Sequence, residues 1–295
     1  MVEIARVGSE VALLGECPVW SATEQRLYWE DIDGRVIHRT DPVTEITETR
    51  ELPGRPGSFV FTQTPGRLLV AMETSLEWLD WESGGLSHFV DVEDVDRGNR
   101  LNDGRCDHAG RYVVGTMHPV PEARRFDGSL YSIDAAGNVD TLENDVGIPN
   151  STVFDPYRGR MYWADTFHAT IWQWDYDFET GIRRNRSVFF DFNANPAARG
   201  LPDGGCLDVD GCLWSASVNG WALTRITPDG DIDRIVELPV AMPTMPAFGG
   251  PDLSTIYVTS INGGQIDKSR SAGVPAGALL AVDVGVQGLP EPRFG

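Results

Sequence analysis

The 295-residue chain reads as an all-β, six-bladed propeller of four-stranded antiparallel blades. Strand-like runs recur six times, anchored at Leu27, Leu68, Tyr112, Met161, Leu213 and Ile256. The anchors lie roughly 40–50 residues apart, the length of one blade. No segment sustains a helical apolar period, and no composition break marks a linker. One propeller domain over residues 1–295 is therefore expected; a β-sandwich has no reason to repeat six times.

Each unit is a pair of runs rich in aromatic and β-branched residues, which suit a pleated, half-buried surface. The first pairs Arg26–Gly34 with Val36–Asp41, and the second Arg67–Glu73 with Leu76–Asp80. The third pairs Arg111–Met117 with Ser129–Asp134, and the fourth Arg160–Asp165 with Thr170–Asp175. The fifth pairs Cys212–Ser217 with Ala222–Thr227, and the sixth Thr255–Ser260 with Ala278–Asp283. Turn signals punctuate them at Asp33–Gly34, Pro65–Gly66, Ala136–Gly137, Thr180–Gly181 and Pro228–Gly230. The spare strand around Glu3–Val7 is expected to close the ring by pairing into the last blade.

Composition bounds the function. Hydrophobic residues make up 41% and charged residues 23%, ordinary globular values. The net charge of −20 comes without a basic cluster, which argues against nucleic acid and anionic membranes as partners. Lys268 is the single lysine, an arginine bias read as coding bias ahead of salt adaptation. No apolar run of about 18 residues and no basic–apolar leader is present, so a cytoplasmic protein is expected. Four cysteines make no disulfide framework. A closed ring is expected to be a monomer. The five histidines show no ligand spacing; His38, His88, His108 and His168 are expected at the surface.

In a propeller the innermost strand of each blade lines a central channel. Stepping back roughly 10–11 residues from each anchor, within one blade length, gives one position per blade. These are Glu16, Ser58, Asn102, Asn150, Asp203 and Met245. Four carry carboxylate or amide oxygens. Glu16 is notable because it interrupts the apolar run Val11–Trp20, and an isolated buried carboxylate is costly unless paired or ligating. Oxygen donors without clustered His or thiolate suit Ca²⁺, Mg²⁺ or Mn²⁺; three ligands with open positions also admit Zn²⁺ or Fe²⁺.

The same residues carry a resemblance. Leu14–Trp20, Asn99–Gly104, Gly115–Met117, Gly128–Tyr131, Pro149–Asn150, Tyr162–Thr166, Leu201–Gly204, Leu213–Trp214 and Phe248–Gly250 stand in order at blade spacing. Together they resemble the SMP-30/gluconolactonase/regucalcin family over nearly the full length. The resemblance implies one divalent cation held by Glu16, Asn150 and Asp203. It implies substrate binding by Arg100 and Asn102, and an acid/base role for Asp203. Cys17 and Ser151 stand where the family usually has glycine. Some members place an acidic substrate contact after the Gly-Thr-Met motif; here that segment is His118–Glu122, where no acid aligns cleanly, and the role is not carried over to the nearby Glu122.

The resulting expectation is metal-dependent hydrolysis of a sugar-acid lactone, a small-molecule substrate, with Asp203 as general base. A propeller hydrolase of other esters or organophosphates is the alternative, followed by a non-catalytic Ca²⁺-binding propeller. No Gly-x-Ser-x-Gly elbow supports a serine hydrolase. The loops His118–Asp127 and Asn262–Gly277 are expected to select the lactone. The nine tryptophans read as packing between blades.

Overall fold

The structure is a computed structural model that describes residues 2–263, 271 and 273–295, so part of the Asn262–Gly277 loop, with Lys268, lies outside the described residues. The described chain forms six four-stranded antiparallel sheets. Their inner strands are Gly15–Ser21, Ser58–Phe61, Arg100–Cys106, Pro149–Asp155, Leu201–Leu207 and Pro243–Gly249. Each inner strand touches those of both neighbouring blades, which closes the six sheets into a propeller. All six sequence anchors fall in the second strand of a blade.

The ring is fastened by the N-terminus. Ile4–Val11 pairs antiparallel with Ala278–Asp283, so blade six combines both ends of the chain. The strand is longer than the expected Glu3–Val7 and bulges between Val7 and Val11. Among the described residues, no helix is long and apolar enough to cross a membrane.

Apolar side chains fill each gap between blades, because a sheet buries a face only against another layer. Between blades one and two, Tyr28 and Ile37 meet Phe59, Leu68 and Trp81. Tyr28 lies edge-on to both Phe61 and Trp81, with ring centroids 5.1 and 5.0 Å away. Trp163 and Trp174 stack between blades three and four. Fully burying one such aromatic contributes roughly 1.5–3 kcal/mol. His38 departs from the surface expectation: it is buried in blade one, its ring 4.3 Å from Trp29 and its Nδ1 2.8 Å from Thr49 Oγ1.

Two features shape the channel. Inner strands one, three, four, five and six each carry an extra residue against their second strand, as between Glu16↔Glu30 and Val19↔Tyr28. Such bulges bend a strand and re-aim its side chains. At the opposite end of the inner strands, the C-terminal tail crosses the axis. Val209 N–H donates to Gln287 O, and Phe294 N–H to Phe61 O. Glu291 meets Arg105 at 3.4 Å beneath the channel, leaving crevices of about 20 and 10 Å³ there.

Candidate functional site

The inner strands all begin at one end of the ring, where they surround a cavity of about 520 Å³. Glu16, Arg100, Asn102, Asn150 and Asp203 all line it. The structure therefore brings together all the residues given a catalytic, substrate or metal role from the sequence. Ser58 and Met245 stay outside. Blade two's inner strand has no bulge, and Ser58 Oγ instead donates to Asn102 O at 2.7 Å. Met245 packs beneath Gly204, where an added Cβ would lie 2.5 Å from Met245 Cγ.

Strict positional equivalence across blades does not hold. Glu16 and Asn150 are the last residues paired before their bulges. Asn102 and Asp203 fall one place later, as the first unpaired residue. The bulges, not a shared register, make all four converge. After Glu16 and Asn150 the backbone turns left-handed, at Cys17 (φ 46°) and Ser151 (φ 47°). That conformation favours glycine, which explains the glycine expected at both places. Here side-chain contacts accompany it: Phe59 N–H donates to Cys17 Sγ, and Ser151 Oγ donates to Asp203 O.

A chain of amides fixes the orientation of the oxygens. Thr166 Oγ1 has one proton, which goes to Pro202 O at 2.7 Å. It must accept from Asn150 Nδ2 at 2.8 Å. Asn150 Oδ1 therefore faces Asn102 Nδ2, 3.2 Å away, and keeps a lone pair for a further partner. Asn102 Nδ2 also donates to Pro149 O, and Asn102 Oδ1 accepts from Arg100 Nη1 at 2.8 Å. Arg100, Asn102, Asn150 and Thr166 thus hold one another across blades three and four, and Pro202 O ties them to blade five.

Charge in the cavity is strongly unbalanced locally. Burial pushes the Glu16 carboxyl well up, and repulsion from Asp203, Asp103 and Glu30 adds to it. Asp203 is raised by burial and by Asp103. Asp103 Oδ2 accepts from Thr152 N–H at 3.0 Å, while its Oδ1 is buried without a partner. Arg100 is pushed down to about 10, first by burial and then by the neighbouring Arg55. Two crowded carboxylates beside a fixed amide oxygen form a donor set that fits a hard divalent cation. Among the described residues no three His, Cys, Asp or Glu side chains form a metal-binding group; the third oxygen of this set is the Asn150 amide.

The rim extends beyond the residues named individually from the sequence. Asp33, Arg55, Glu122, Arg124, Phe167 and Asn219 also line the cavity. Glu122 and Arg124 belong to the His118–Asp127 loop expected to select the lactone, and Asp33 lies at the end of the first repeat run; Arg55, Phe167 and Asn219 come from connecting loops that sequence reasoning missed. His118 is not among the lining residues; its Nδ1 turns back to Val120, 3.1 Å from the carbonyl oxygen. No tryptophan lines the cavity among the described residues.

Comparison with known proteins adds independent findings. A family model described as the SMP-30/gluconolactonase/LRE-like region matches residues 14–262. A pentonolactonase of Haloferax volcanii is 37% identical, covering 98% of this chain and 97% of its own. A 6-deoxy-6-sulfogluconolactonase of Pseudomonas putida is 34% identical, covering 96% and 95%. A solved structure titled a calcium-binding protein, regucalcin, from Agrobacterium tumefaciens superposes with a TM-score of 0.90 at 29% identity, covering 98% and 97%.

Proposed function

This chain belongs to the SMP-30/gluconolactonase/LRE-like family, and from that premise we propose that it hydrolyses a sugar-acid lactone to the aldonic acid with the help of one divalent cation. The observation that carries the reading is the convergence of Glu16, Asn150 and Asp203 with Arg100 and Asn102 on one cavity. Its relatives named as lactonases cover nearly the whole chain.

In this reading Glu16, Asp203 and Asn150 Oδ1 hold the cation. When bound, the cation supplies Lewis-acid polarisation of the lactone carbonyl and relief of the carboxylate repulsion. Arg100 donates to ring or hydroxyl oxygens; it is a permanent cation and does not enter the ion's shell. Asn102 braces Arg100 through Oδ1, which keeps a lone pair for a substrate hydroxyl. Asp203 takes a proton from the water that adds to the carbonyl carbon. The ring C–O bond then breaks, and the proton is delivered to the departing ring oxygen.

A panel of aldonolactones assayed against Ca²⁺, Mg²⁺, Mn²⁺, Zn²⁺ and Fe²⁺, with a chelated control, tests the proposal. Hydrolysis that a chelator abolishes and one ion restores is expected. Absence of turnover with every pairing overturns it.

A further inference from the structure

Among the described residues, Glu30 is the one carboxyl group with both oxygens buried and without a hydrogen-bond partner. It is 0% exposed, does not line the cavity, and has no part in the reading above. A buried polar group without a partner is rare, and it costs free energy until something satisfies it.

Its direction follows from its strand. Arg26–Asp31 pairs regularly with Val36–Thr40, so alternate residues share a face. Tyr28 faces blade two, edge-on to Phe61 and Trp81. Glu30 faces blade two as well, nearer the cavity and opposite Glu16 on the adjoining strand. Blade two is cut short at this level. Its inner strand has four residues, Ser58–Phe61, against seven in each of the other five. Gly57 stands just before it, where an added Cβ would lie 2.3 Å from Leu101 O. Blade three therefore closes over blade two, and it brings Arg100 with it.

Arg100 spends Nη1 on Leu101 O and Asn102 Oδ1, while its Nε is buried without a partner. The charges acting on it all come from blades one and two: Arg55, then Asp33, Glu16 and Glu30. Burial pushes the Glu30 carboxyl up, and Arg100 is the first charge to oppose that. Glu30 also acts on Tyr112, whose hydroxyl lies 2.7 Å from Ser58 Oγ, which sets it beside the start of blade two. Glu30 and Arg100 thus face the same short stretch of blade two and act on each other, yet neither Glu30 oxygen is in contact with the guanidinium. A water accepts from an N–H and donates to a carboxyl oxygen, and buried waters commonly satisfy such groups.

We propose that Glu30 is a positioning residue for Arg100. One buried water accepts from Arg100 Nε and bonds Glu30, which holds the guanidinium against the push of Arg55 and leaves Nη2 for the substrate. The role in catalysis rests on the lactonase reading above; the water does not.

The test is a double-mutant cycle read in kcat/KM for the best aldonolactone. Glu30→Leu is expected to cost about tenfold, the scale of one hydrogen bond to a charged group, and Glu30→Gln to recover most of it. Divalent-ion affinity by calorimetry is expected to hold within twofold in both. In an Arg100→Ala background, Glu30→Leu is expected to cost nothing further. Equal fold-losses in the two backgrounds, or wild-type turnover in Glu30→Leu, overturn the proposal. A crystal structure of the wild type decides without turnover, and so still decides if Glu30→Leu does not fold or no lactone is hydrolysed. An ordered water bonded to both Glu30 and Arg100 Nε supports the proposal, and its absence overturns it.

Discussion

Asn150 and Thr166 show how a single hydroxyl proton sets the chemistry of a site. Because that proton is committed to Pro202 O, the Asn150 oxygen is turned toward Asn102 and keeps a lone pair free. Asp203 differs, since its carboxyl is assigned both a ligating oxygen and a basic one. Asp203→Asn keeps an oxygen donor and removes the base. Divalent-ion binding by calorimetry is expected to weaken modestly, while turnover falls about 10²-fold or more. A variant turning over within a few-fold of wild type shifts the base role to Asp103, whose unpartnered Oδ1 is nearby in charge terms. Arg100→Ala separates substrate from ion: catalysis drops and ion affinity holds, and loss of the ion with the fold intact contradicts the assignment. Glu16, Asn102, Asn150 and Asp203 were legible because they fall within one place of the same distance before a repeating anchor. Arg55 was not, because its loop follows no period, whereas Arg124 falls in the His118–Asp127 loop already expected to select the lactone.

At the scale of the strand, the bulge is what the sequence concealed. Counting back from the anchors assumed one register for all blades, yet Asn102 and Asp203 sit one place beyond Glu16 and Asn150. The count succeeded in four blades because a bulge lets neighbouring positions turn to the same side; it failed at blade two, whose inner strand is regular, and at blade six, where Met245 falls one place beyond Thr244, the first unpaired residue. Blade one offers a further test through His38. Burial among Trp29 and Thr49 lowers its pKa, against weaker opposing charge from Glu10 and Asp31. The unfolded chain therefore takes up this proton first as pH falls. The stability His38 contributes is complete above the ordinary histidine value of about 6.5 and is lost as pH drops through it toward the folded value. Denaturant midpoints at pH 7.5 and 5.5 should fall more in wild type than in His38→Gln; equal slopes show that His38 is not the group responsible.

For the whole molecule, repetition made the six blades readable, and the spare N-terminal segment announced its own use. The C-terminal segment had no such signal, since Leu289–Gly295 belongs to no strand of a blade. Its hold is nevertheless specific: Phe294 is 2% exposed and packs against Trp78 and Phe89. Phe294→Ala is expected to lower unfolding free energy by roughly 1.5–3 kcal/mol, read from the denaturant midpoint. No change would mean the tail is not anchored there. With that tail in place the propeller is a well and not a pipe. Everything that enters must leave past whatever entered after it, so departure is last in, first out. On the proposed reading, the opened acid would have to clear the doorway before a cation held by Glu16, Asn150 and Asp203 could be drawn off. Adding the product acid should therefore slow the stripping of bound ion by a chelator, and the delay should vanish when Glu291 and Arg105 are both replaced by small residues and the floor opens.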